Sequence, residues 1–142
     1  MKIGVLALQG DFIEHIAILK RIGAETAEIR LPEQLADLDG LIIPGGESTT
    51  IGKLAVAYGL MDPLREFGMH RAVWGTCAGA IFLSEDAHRR QPLLGLMDIQ
   101  VERNAFGRQV DSFEWDMNVP ALRTVDPDES PFHAIFIRAP LI

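Results

Sequence analysis

Cys77 is the one cysteine in 142 residues, and its neighbours make it a candidate nucleophile. It stands in Gly75-Thr76-Cys77-Ala78-Gly79, directly after the apolar run Ala72-Val73-Trp74 and before a small-residue helix start that extends through Leu83. This is G-x-C-x-G, the cysteine form of a nucleophile elbow. A tight strand-to-helix turn strains the backbone at the nucleophile, so its neighbours must be tiny, as Gly75, Ala78, Gly79 and Ala80 are. A thiol at the start of a helix meets backbone N–H groups and a dipole that favour thiolate. The N–H of Ala78 would face a developing oxyanion. The commoner fate of a lone cysteine is that of a small buried hydrophobe. Strand, glycines and helix together favour the nucleophile.

A second turn, Pro44-Gly45-Gly46-Glu47-Ser48-Thr49-Thr50, ends another apolar strand. Consecutive glycines let backbone N–H groups approach a ligand, which would make this turn a second oxyanion donor opposite Cys77. The plainer reading is a strand-to-helix turn with Ser48 or Thr49 as cap. Gly52-Lys53 nearly completes a phosphate loop, but position 47 is Glu and position 54 is Leu, so the register fails. Farther on, Val101 to Gln109 places Arg103, Asn104 and Arg108 around Gly107. Such a turn could grip a carboxylate, although by itself it reads as a charged surface turn. Arg138 ends an apolar strand and either reaches a cleft or caps a sheet edge.

A cysteine nucleophile needs a base within hydrogen-bond reach. Four histidines are available: His15 on an amphipathic helix, His70 and His88 in polar loops, and His133 just before a strand. None lies in an oriented arrangement such as H-x-E, and each reads as a surface residue, His133 least clearly so.

The elements that must position these residues alternate. Ile3 to Leu8 is a strand buried on both faces. Asp11 to Ile22 has helical spacing, with Phe12, Ile13, Ile16, Ile18 and Leu19 on one side. Strands are predicted over 27–31, 38–43 and 72–76, a short helix over 32–35, and helices from Ser48 or Thr49 to Tyr58 and from Met61 to Phe67. This β-α-β-α-β-α order predicts a parallel sheet with helices on both faces. After Gly95 the chain turns β-rich and partly antiparallel, with strands predicted over 97–103, 109–117 and 134–138. No linker divides it, so residues 1–142 are expected to form one domain.

Thirteen Lys and Arg against twenty Asp and Glu give a net charge of −7, and the pI is near 5.0. That balance argues against nucleic-acid binding through bulk charge. No apolar run approaches the roughly 20 residues of a membrane span, no signal peptide is apparent, and one cysteine builds no intrachain disulfide. The expectation is a cytoplasmic protein, with no nucleic-acid or membrane partner.

Leu8-Gln9-Gly10, P-G-G-E-S-T-T at 44–50, G-T-C-A-G at 75–79, V-E-R-N-x-F-G-R-Q at 101–109, D-S-F-E at 111–114 and F-I-R-A-P at 136–140 occur in this order. The set closely resembles the PdxT/Sno family, the glutaminase subunits of pyridoxal 5′-phosphate synthase, which are class I, triad-type glutamine amidotransferases. The elbow alone indicates only the wider superfamily; the strings around 47–50, 102–109 and 136–140 point to this member.

The resemblance implies a three-layer α/β/α sandwich of flavodoxin-like type with a mostly parallel sheet. It implies hydrolysis of L-glutamine to glutamate and ammonia, with the ammonia passed to a separate (β/α)₈-barrel synthase subunit. It makes Cys77 the nucleophile that forms the thioester, and Gly46 and Ala78 the backbone oxyanion donors. Gly46, Glu47, Ser48, Arg103, Ile137 and Arg138 match substrate-binding positions. Gln9 matches a residue at the synthase interface. No metal and no cofactor is implied. In the family a C-terminal F-H-P-E segment supplies the triad His and Glu; that string does not occur in residues 1–142, and the expectation is a C-terminally incomplete domain. Two alternatives are a glutamine-binding or synthase-docking subunit without turnover, and another cysteine-elbow amidohydrolase.

Overall fold

The computed structural model describes residues 1–102, 105, 112–125, 131–137 and 139–142. They divide into two compact units, Met1–Val101 with Ile142, and Glu102–Leu141.

In the first unit, β1 (Lys2–Leu6), β2 (Glu25–Ile29), β3 (Gly40–Ile43) and β4 (Ala72–Gly75) form one parallel sheet in the order β2-β1-β3-β4. The register sets Val5 beside both Glu28 and Ile42, and Ile42 beside Trp74. Side chains alternate across this sheet. Leu6, Ile29 and Ile43 face a core completed by Ile51 of α2 (Ser48–Ala57), Leu64 of α3 (Met61–His70) and Phe82 of α4 (Ala78–Leu83), all six buried. Each such side chain contributes about 1.5–3 kcal/mol when withdrawn from water. The opposite face carries α1 (Phe12–Arg21), whose Leu19 shares an apolar cleft of about 260 Å³ with Ile3, Ile42 and Trp74. Helices on both faces of a parallel sheet make the α/β architecture that the alternating elements predict.

The differences are local. β2 starts two residues before its predicted span, because pairing with Lys2–Leu6 sets its limits, and Pro32 opens a 3₁₀ turn to Leu35. In α1, Ile13 and Ile18 are exposed. The half-buried positions are Phe12, His15, Ile16 and Leu19, an i, i+3, i+4, i+7 stripe that includes a histidine. The cap of α2 is neither Ser48 nor Thr49 but Glu47, whose carboxylate accepts from the Thr50 N–H at 2.9 Å. Carboxylates suit a helix N-terminus because they both bond its free N–H groups and oppose its dipole.

A strand with no apolar signal, β5 (Ser84–Asp86), pairs in parallel with β6 (Met97–Gln100). It is held by tertiary contacts, among them Ser84 Oγ donating to Ile81 O at 2.7 Å. In the second unit, β7 (Phe113–Met117) and β8 (Phe132–Phe136) pair antiparallel, with the Phe113 and Phe136 rings stacked at 4.7 Å. β8 therefore begins earlier than predicted and contains His133. Residues 109–111 of the strand predicted over 109–117 lie outside the described residues.

Candidate functional site

Strand order reverses between β1 and β3, and in open α/β sheets ligands bind beyond the carboxyl ends of strands at such a point. Three segments leave the sheet there: Gln9-Gly10-Asp11 near the end of β1, Pro44 to Glu47 after β3, and Thr76-Cys77 after β4.

Cys77 lies between β4 and α4 with φ 49° and ψ −107°, and it is exposed. A positive φ at a residue with a side chain costs on the order of 1–3 kcal/mol and persists only where the surroundings impose it. Two glycines permit the turn. A Cβ on Gly75 would stand 2.5 Å from the carbonyl carbon of Gly79, and one on Gly79 would collide with Ile43 O. Thr76 is fixed on three sides. Its N–H donates to Ile43 O at 3.0 Å, its carbonyl accepts from Gly79 N at 2.8 Å, and its hydroxyl lies 3.2 Å from His15 Nε2. Ala78, buried, begins α4. The elbow expected from G-T-C-A-G is thus present, with a strained, accessible cysteine rather than a buried one.

The P-G-G-E turn lies against the elbow and the β1–α1 segment. A Cβ on Gly45 would come within 3.6 Å of Cys77 Cβ and 3.0 Å of Asp11 Oδ2. Gly45 O accepts from Asp11 N at 3.2 Å. Gly46 has φ 144°, and a Cβ there would meet Gln9 Oε1 at 2.5 Å. That same oxygen accepts from Glu47 N at 2.8 Å. Gln9, Gly46, Glu47, Cys77 and Ala78 are therefore brought together in the first unit. The Glu47 carboxylate bonds Thr49 Oγ1 and Thr50, so it serves the helix cap. Ser48 is buried, and its Oγ accepts from Gln91 Nε2 at 3.2 Å. Ile137, half exposed, belongs to the second unit. Arg103 and Arg138 lie outside the described residues.

The histidines separate. His70 pairs with Glu66 and His88 with Asp86, both at the surface. His133 bridges Asp116 (Nδ1, 2.7 Å) and Glu114 (Nε2, 3.1 Å) from the facing strand. Hydrogen bonds to Asp116 and then Glu114 raise its pKa above the ordinary value of 6.5. His15 is not the surface residue it was expected to be. It touches the elbow through Thr76, and its ring meets Trp74 edge-on at 6.2 Å. The signal was its place on the Phe12–Ile16–Leu19 stripe. Among the described residues none of the four histidines hydrogen-bonds Cys77. No group of three or more His, Cys, Asp or Glu among them is placed to hold a metal ion, and no helix among them is long and apolar enough to cross a membrane.

Residues 5–142 match the SNO glutamine amidotransferase family. The chain is 56% identical to the pyridoxal 5′-phosphate synthase subunit PdxT of Herpetosiphon aurantiacus over 147 aligned positions, covering 100% of this chain and 75% of the relative. It is 57% identical to the PdxT of Pelotomaculum thermopropionicum, covering 100% and 71%. Its structure matches a crystal structure of a glutamine amidotransferase with a TM-score of 0.87 and 51% identity, over 99% of this chain and 72% of the other. A Listeria monocytogenes protein described as a putative peptidase E shares the fold alone, with a TM-score of 0.56 at 14% identity.

Proposed function

Because the chain belongs to the SNO glutamine amidotransferase family, we propose that it is the glutaminase subunit of a pyridoxal 5′-phosphate synthase, hydrolysing L-glutamine to L-glutamate and ammonia. The observation that carries the reading is the strained, exposed Cys77 packed against the P-G-G-E turn. Cys77 Sγ attacks the side-chain carbonyl carbon of glutamine, and the oxygen gathers negative charge between the N–H groups of Gly46 and Ala78. The C–N bond then breaks, and the leaving nitrogen departs with a proton as ammonia. Water attacks the resulting thioester, which releases glutamate and restores the thiol. From the resemblance, Gly46, Glu47, Ser48, Arg103, Ile137 and Arg138 hold the substrate. Gln9 meets the (β/α)₈ synthase subunit, which receives the ammonia. The triad His and Glu are assigned by the resemblance to an F-H-P-E segment that residues 1–142 do not contain. The family match runs across both compact units, which supports reading them as one amidotransferase domain. The enzyme is expected to work in the cytoplasm.

The test is ammonia release from glutamine by the protein carrying an F-H-P-E segment, mixed with the synthase subunit. Turnover that survives Cys77→Ala overturns the assignment of the nucleophile. A second reading, a glutamine-binding or synthase-docking chain, is favoured by the lack of a histidine bonded to Cys77 among the described residues. Residues 1–142 alone are expected to release no ammonia, and turnover there would require a base within them.

A further inference from the structure

The backbone ties on Thr76, to Ile43 and Gly79, are ones that any residue at that position would make. The third tie is specific to side chains, because it needs a hydroxyl at 76 and a hydrogen-bonding nitrogen that reaches it from 15. His15 is held to that task. It projects from the packed stripe of α1, and Trp74, two residues before Thr76, sets its ring edge-on. We propose that His15 is a positioning residue of the glutaminase reaction, acting through the Thr76 hydroxyl to hold the backbone at Cys77 in its strained, reactive conformation. The inference rests on the reading of Cys77 as nucleophile.

The arrangement has a further consequence. The segment that carries Gln9 also starts α1 and bonds the P-G-G-E turn through Asp11 N and Gln9 Oε1. His15, one turn into the same helix, bonds the elbow. One continuous segment, residues 9–15, therefore bonds both sides of the site.

The experiment compares wild type, His15→Ala, His15→Gln, Thr76→Val, Thr76→Ser and the His15→Ala/Thr76→Val pair in complex with the synthase subunit. Each is read twice, by kcat and KM for glutamine and by the rate at which iodoacetamide labels Cys77. Loss of one side-chain hydrogen bond predicts a fall of about three- to tenfold in kcat and in labelling, with KM within about twofold. The double variant is expected to match the single variants, because both remove the same tie. Thr76→Ser keeps the hydroxyl, and the Gln amide nitrogen reaches where Nε2 does, so both are expected to restore the rate. A merely structural role would lower thermal stability without this coupling or this rescue. Wild-type kcat and labelling in His15→Ala, or additive losses in the double variant, overturn the proposal. If Thr76→Val does not fold, the His15→Ala and His15→Gln pair decides. If wild type releases no ammonia, the glutaminase reading fails, while the labelling rates still decide whether His15 controls Cys77.

Discussion

The side-chain oxygen of Gln9 accepts the backbone N–H of Glu47 at 2.8 Å, which closes the β1–α1 segment over the glycine turn. The contact is partly buried, so removing the acceptor strands an N–H group at a cost of about 1–3 kcal/mol. Gln9→Leu is therefore expected to loosen the turn that carries Gly46. Ammonia release in the synthase complex should fall about tenfold or more. Activity equal to wild type would show that the turn keeps its shape without Gln9.

The elbow depends on contacts too close for a side chain. Gly79→Ala drives a methyl into Ile43 O, the last carbonyl of the interior strand β3, which already accepts from Thr76 N and has little room to yield. A destabilisation of about 3 kcal/mol or more is expected, at the upper end of overpacking effects because backbone rather than side chain must move. Denaturant unfolding measures it, and a loss under 1 kcal/mol would mean that α4 can shift away from β3.

Two substitutions at Cys77 separate chemistry from strain. Both remove the thiol and are expected to abolish turnover. Cys77→Ala keeps a Cβ at φ 49°, whereas Cys77→Gly relieves it. Glycine is expected to leave the protein more stable than alanine by about 1 kcal/mol, the reverse of their usual order near a helix. Equal stabilities would indicate that the turn relaxes once the thiol is gone.

His133 makes stability depend on pH in a defined direction. Its pKa is raised by its hydrogen bonds to Asp116 and then to Glu114. The protonated ring is favoured in the folded hairpin. The pairing therefore contributes fully below the ordinary histidine value of 6.5 and is lost as pH rises through the raised folded value. A proton-NMR titration of His133 should give a midpoint above 6.5, and Asp116→Asn with Glu114→Gln should return it toward that value. An unchanged midpoint in the double variant would rule out the two carboxylates as the cause.

What could be read in advance follows from the range of the interactions involved. The elbow is local: Gly75, Cys77, Ala78 and Gly79 are adjacent, and the steric demand that selects them acts over a single turn. The parallel sheet was legible for a related reason, since apolar runs buried on both faces alternate with helical stripes. Glu47 as the cap of α2 was not, because its long carboxylate must fold back on Thr50, and that depends on the extended backbone after Gly46. Ser84–Asp86 carries no strand signal of its own and becomes a strand only through its neighbours.

The sequence by itself determined that Cys77 would sit at a strand-to-helix elbow and that a glycine turn would end a neighbouring strand, because both are written in consecutive residues. Only the tertiary structure decided which distant side chains reach them. His15 and Thr76 are 61 positions apart, and Gln9 and Glu47 are 38 apart. These pairs form because parallel pairing of β1, β3 and β4 sets three loop ends side by side. Sheet pairing acts across the chain, and so no local pattern announces the partners it brings together.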